Sequence, residues 1–209
     1  MSLHLPTRSR PPQRAGISLA VSADDLTVME PGRLLLPPTG LRIATGTAAL
    51  IVGGTPISRL VLAHALTGRL PTERVRLRGQ LEVFGATSSA DIRARSLLAL
   101  PWRARTRPTA VARRLAALEW ATDRAVGVRR PNLLLVVLSP GLEGLRPQEV
   151  AQVVAATTKL NDLGPTVLLT GPDPEPAARR RKTSGDPAVA QQPAKPPIGG
   201  TITVTALSS

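Results

Sequence analysis

Apolar residues recur along this chain in two periods, and their succession predicts an architecture. Ile17–Val21, Leu26–Met29, Arg33–Leu36 and Gly40–Ala44 are short β-like runs separated by Pro, Gly and Asp turn signals, and they predict an antiparallel layer. Asp24 and Asp25 fall in one of those gaps and read as a solvated turn. Ala48–Val52 is a continuous apolar strand, followed by a helix from about Ile57 to Thr67 that stops at Gly68. Arg74–Phe84 reads as a strand or a hairpin around Gly79, and Ala90–Leu100 as a short helix ended by Pro101. Thr109–Val126 is the clearest amphipathic helix. Leu133–Leu138 and Thr166–Thr170 are buried parallel-type strands, and Pro147–Leu163 between them is a helix opened by Pro and closed by Gly164. Strands alternating with helices imply a mostly parallel sheet covered on both faces, with right-handed crossovers.

Composition sets the limits of this domain. Residues 1–16 and 174–209 are rich in Pro and basic residues and poor in large apolar ones, so both are expected to be disordered, leaving a domain at 17–173. Within the second tail Arg179–Lys182 is a basic cluster, and Thr201–Thr205 alternates in strand fashion and could add to a sheet edge. Cysteine is absent, which excludes disulfides, thiolate metal sites and cysteine nucleophiles, and the two histidines, His4 and His64, make no metal cluster. No run approaches the roughly 20 apolar residues of a membrane span, and the N-terminal residues lack the apolar core of a secretory signal, so the expected location is the cytoplasm. The net charge of +13 raises nucleic acid as a partner. With Phe84, Trp102 and Trp120 as the aromatic complement there is no stacking platform for single strands, and solvated arginines are the preferred account of the charge.

The chemistry of interest lies where the first apolar strand meets its helix. Leu50 to Gly68 has the outline of a phosphate-binding loop, an apolar strand running into a Gly-started turn and then a helix. A loop of the form G-x-x-x-x-G-K-[ST] needs its second Gly so that backbone N–H groups close on phosphate, a Lys for the β/γ-phosphates and a hydroxyl for Mg²⁺. Counting from Gly53, with Gly54 beside it, those three positions are Ser58, Arg59 and Leu60. Arg59 could still pair with phosphate, but a solvated arginine at the start of a helix is the preferred reading, and Leu60 would bring an apolar group to the metal position.

In order, these pieces resemble the nucleotide-binding domain of ABC transporter ATPases. Gly40-Leu-Arg-Ile-Ala-Thr-Gly46 is similar to the strand and Gly before that family's phosphate loop, and Gly53 and Gly68 sit where the loop's first Gly and the glycine ending its helix sit. Leu70-Pro71 and the segment Gly79 to Gly85, ending in Val-Phe-Gly, resemble the family's continuation. Arg129 to Leu138 resembles the approach to the Walker B strand, Gly144-Leu-Arg-Pro147 the "GLDP" turn with Arg146 in place of Asp, and Gly164 to Thr170 the strand before the switch histidine. The resemblance covers residues 17 to 173 and implies a P-loop NTPase-like α/β fold with an N-terminal antiparallel β layer. The interval from Gly85 to Pro131 is short for the family's helical subdomain, which is therefore expected to be reduced.

The same alignment implies what is lost. Counting back from Gly144, the Walker B Asp falls on Ser139 and the general-base Glu on Pro140, neither of which can hold metal-bound water or accept a proton. The switch histidine falls near Pro172, and the nearest candidate for the signature, Leu115-Ala-Ala-Leu-Glu119, lacks glycines. Glu143 could replace the missing acid in principle but falls in the turn. Ser139 has no histidine partner except His64, which reads as a satisfied core-edge residue, so a serine hydrolase is disfavoured. The resemblance thus implies an ATP-binding-like subunit with a degenerate nucleotide site and no expected cofactor, with ATP and Mg²⁺ only if that site is active. Its expected partners are a homologous ATPase subunit or a membrane permease, met through apolar faces around Ile57–Leu60 and Leu115–Glu119, which would place it at the inner membrane face. A divergent active ATPase and a basic nucleic-acid-associated module are the alternatives.

Overall fold

The computed structural model describes residues 18–71, 73–101 and 108–172, and the backbone of 203–206. The expected tails at 1–16 and 174–209, with His4 and the Arg179–Lys182 cluster, lie outside the described residues except for 203–206, which form a strand; Trp102 lies outside them as well.

Of the three polar gaps between the four N-terminal apolar runs, only the middle one ends a strand. β1 (Leu19–Glu30) and β2 (Arg33–Ala44) are continuous, joined by the Pro31-Gly32 turn, and β4 (Arg76–Val83) pairs with the other edge of β1. The result is an antiparallel sheet of order β2-β1-β4. Asp24 and Asp25 therefore sit in a bulge of β1 and not in a connecting turn: the register shifts between Asp24 and Thr27, and Asp25 takes a φ of 50°. A bulge absorbs an extra residue without ending the ladder. Arg42 donates to both carboxylate oxygens of Asp24 at 2.7 and 2.8 Å, although both partners are more than half exposed and the pair contributes little to stability. Gly79 marks no hairpin. A Cβ there would lie 2.4 Å from the Asp25 carbonyl oxygen, so the glycine is where β4 passes close to the bulge.

The second sheet has the order β5-β6-β7-β3-β8. β3 (Ala48–Val52), β5 (Ser96–Ala99), β6 (Leu135–Leu138) and β7 (Thr166–Thr170) run parallel, and β8 (Thr203–Ala206) adds antiparallel to β3 at the edge. The helix expected over Ala90–Leu100 is two elements: α2 spans Ser89–Ala94, and after Arg95 the residues Ser96–Ala99 form β5 in register with β6, Ser96 opposite Leu135. A short apolar run such as Leu97–Leu100 has no period of its own, and the hydrogen-bonding edge of β6 decides its state.

Both faces of the parallel sheet are buried. Ile51, Leu135, Val137 and Leu168 enter a core shared with α1 (Pro56–Leu66) and the antiparallel sheet. Val136, Leu138, Val167 and Leu169 face α3 (Ala110–Val126) and α4 (Pro147–Asp162). Strand alternation with both faces covered explains why β3, β6 and β7 read as unbroken apolar runs. The fold is the expected α/β arrangement, a mostly parallel sheet beside an antiparallel layer.

Candidate functional site

The loops that follow β3 and β6 leave the carboxyl ends of their strands on either side of β7, the place where open α/β sheets bind ligands. The loop after β3 turns through Gly53 and Gly54, with φ of 82° and 61°. Thr55 then caps α1, one residue earlier than the pattern predicts: the Ser58 N–H donates to Thr55 Oγ1 at 3.1 Å, and the Thr55 N–H donates to Ser58 Oγ at 2.7 Å. Ser58, at the second-Gly position, is thus half of a reciprocal cap. The Arg59 N–H is also used, donating to the Thr55 carbonyl at 3.0 Å, and Pro56 has no N–H to offer.

Arg59 is not solvated. Its residue is 5% exposed, and its side chain folds back into the loop. Nη1 donates to the carbonyls of Gly53 at 2.8 Å and Gly54 at 3.0 Å, while Nε donates to Glu143 Oε1 at 3.1 Å. The reason is its place on α1: Arg59 shares the buried face with Leu62, Ala63 and Leu66, at the spacing of one helical stripe. A cation on that face must find acceptors or leave the core. Glu143, in the loop after β6, supplies the charge, and its Oε2 is buried without a hydrogen-bond partner.

That second loop is held by another arginine, which the sequence reading passed over. Arg114 is 6% exposed and donates from Nε to the Gly141 carbonyl at 2.6 Å, from Nη2 to the Glu143 carbonyl at 2.6 Å and from Nη1 to the Ala110 carbonyl at 3.1 Å. Burial pushes its guanidinium below the usual arginine range, and the Glu143 carboxylate counters that. The signal was present: Arg114 lies on the stripe of Ala117, Leu118, Ala121 and Ala125, where a charge is out of pattern. Gly141 brings the loop against β7, since a Cβ there would lie 2.4 Å from the Thr170 carbonyl oxygen, and its N–H donates to Thr170 Oγ1 at 3.1 Å.

Hydrogen bonds bring Gly53, Gly54, Arg59 and Glu143 together, Ser58 stays in the cap of α1, and Ser139 and Pro140 directly follow the last residue of β6. Ser139 is buried, with Thr170 Oγ1 donating to its Oγ at 3.3 Å. His64 lies away from it, with Nδ1 3.2 Å from the Arg69 carbonyl oxygen, the satisfied core-edge residue that its position suggested. Leu60 is half-buried.

The expected apolar faces are smaller than the sequence suggests. Ser58 and Arg59 are buried in the first, leaving Ile57 at 48% exposure, and in the second Ala117 and Leu118 belong to the core beneath α3. Residues on one helix segment do not share a face, and half of each segment points inward.

The groups at the positions that the resemblance assigns to Mg²⁺·ATP are of another kind. The loop turns two carbonyl oxygens toward its centre, a guanidinium occupies that centre, and no carboxylate follows β6 at Ser139 or Pro140. Among the described residues no group of three or more His, Cys, Asp or Glu side chains could hold a metal ion. Likewise, no helix there is long and apolar enough to cross a membrane.

Compared by sequence, the chain matches no known protein family and no curated protein. Compared by structure, it is similar to cbiO1 from Clostridium perfringens, part of the ABC transporter complex cbiONQ, with a TM-score of 0.50 and 12% identity over 75% of this chain and 79% of that one. A bacterial Atm1-family ABC exporter with ATP bound gives a TM-score of 0.46 and 12% identity over 78% of this chain and 36% of that one. The likeness to cbiO1 is one of fold, a parallel sheet beside an antiparallel layer.

Proposed function

We propose that the chain is an ABC ATPase-like subunit that neither binds nor hydrolyses nucleotide, and that it serves a transport system in a structural or regulatory role. The observation that carries this reading is the buried Arg59, which fills the loop with its own guanidinium and pairs with Glu143. Hydrolysis further requires a metal-holding carboxylate and a base after β6, and Ser139 and Pro140 supply neither. These parts act as a unit, so their joint loss leaves no partial rate. The transport setting is carried over from the likeness to cbiO1, described as part of an ABC transporter complex. The partners that follow are a homologous ATPase subunit or a membrane permease, at the inner face of the membrane.

The test is equilibrium binding of labelled ATP with Mg²⁺ to the full chain, followed by a phosphate-release assay. No saturable binding at millimolar ATP and no release above the buffer rate are expected. Saturable, Mg²⁺-dependent binding to the wild-type chain overturns the proposal. A thermal shift checks the same point, because a ligand of the native state raises apparent stability.

A further inference from the structure

We propose that the loop after β3, together with Glu143, is a guanidinium receptor, and that Arg59 fills it from within the chain. The inference rests on the reading of this site as one that takes no nucleotide, and it names the ligand class the site does take. A phosphate-binding loop converges backbone N–H groups on its ligand. Here the converging groups are acceptors: the carbonyl oxygens of Gly53 and Gly54 at 2.8 and 3.0 Å from Nη1, and Glu143 Oε1 at 3.1 Å from Nε. Meanwhile the N–H groups of Thr55, Ser58 and Arg59 are used inside the cap and Pro56 has none. The consecutive positive φ values of Gly53 and Gly54 turn the chain in a way that only glycine adopts freely.

Charge points the same way. Arg59 is in the first turns of α1, where the helix dipole is positive, and that first turn carries no acidic residue of its own. The guanidinium therefore depends on the Glu143 carboxylate, whose buried Oε2 is a further acceptor without a donor. A planar fork of N–H donors satisfies such a set of oxygens, and an ammonium reaches fewer of them at once. A receptor filled in this way stays in one state at any nucleotide concentration.

The experiment uses chemical rescue in the full chain. Arg59→Ala removes the fork and leaves the acceptors, and ethylguanidinium restores the missing atoms. The melting temperature of Arg59→Ala is expected to lie below wild type and to rise by about 3 °C or more with ethylguanidinium at ten times its dissociation constant. Wild type and Arg59→Ala/Glu143→Ala should not rise, and ethylammonium should act more weakly on Arg59→Ala. Inorganic phosphate or pyrophosphate stabilising Arg59→Ala where ethylguanidinium does not would show an anion nest and overturn the proposal, as would the absence of any rescue. If Arg59→Ala does not fold, the comparison is among Arg59→Lys, Arg59→Gln and Arg59→Met. The receptor requires Lys to be the most stable of the three, and Met equal to or above Lys overturns it. Saturable ATP binding to wild type would sink the proposed function independently, because the rescue is measured without nucleotide.

Discussion

The Arg59–Glu143 pair lends itself to a double-mutant cycle whose magnitudes follow from burial. Glu143→Ala leaves a guanidinium with 6% side-chain exposure opposite a helix N-terminus and removes its counter-charge. Breaking a buried pair from one side costs about 3–5 kcal/mol, and the 22% exposure of the Glu143 side chain lets water in and moves the expectation to about 3 kcal/mol. For a chain of this length that corresponds to a fall of roughly 6–12 °C in melting temperature. Arg59→Met leaves two carbonyls and a carboxylate unpaired, but Glu143 can turn outward, so about 1–3 kcal/mol is expected. Arg59→Met with Glu143→Ala removes both charges and leaves only the Gly53 and Gly54 carbonyls without their donor, so the double should cost no more than Arg59→Met alone, about 1–3 kcal/mol; set against the two singles this gives a coupling energy of about 3 kcal/mol. The assay is urea unfolding followed by circular dichroism, read as a shift in midpoint at constant slope. Glu143→Ala within about 0.5 kcal/mol of wild type, the range of ordinary surface changes, would mean that the pair is solvated and that the loop is not filled by Arg59.

Two further perturbations test the loop after β6. Gly141→Ala drives a Cβ to 2.4 Å from a backbone oxygen of β7 and should cost at least about 2 kcal/mol, whereas Gly144→Ala, at φ +70° with nothing within 4 Å, should cost about 1 kcal/mol; equal midpoints in the urea assay would remove the close approach as the reason for Gly141. Arg114→Met keeps the bulk on the α3 stripe but abandons the carbonyls of Gly141, Glu143 and Ala110, so amide exchange across residues 141–144 should accelerate by at least about tenfold, and unchanged protection there would count against the arginine as the element that holds this loop.

Sequence and tertiary structure divided the work according to the range of the forces involved. The period of apolar residues was enough for α3, α4, β3 and β7 to be read within a residue or so, because their faces are long and both sides of the sheet are covered. That Ser139 and Pro140 carry no carboxylate, and that Arg59 and Leu60 follow Ser58, was likewise legible, since the identity of a side chain needs no coordinates. Tertiary pairing decided the rest. Ser96–Ala99 became a strand because β6 offered it an edge, and the polar step at Asp24–Asp25 became a bulge because β2 and β4 held the ladder on both sides. The destination of Arg59 also lay beyond local pattern. Its stripe position marks it for burial, but its acceptors come from Gly53 and Gly54 nearby and from Glu143, 84 residues away, and only the packing of α1 beside the loop after β6 brings that carboxylate to 3.1 Å.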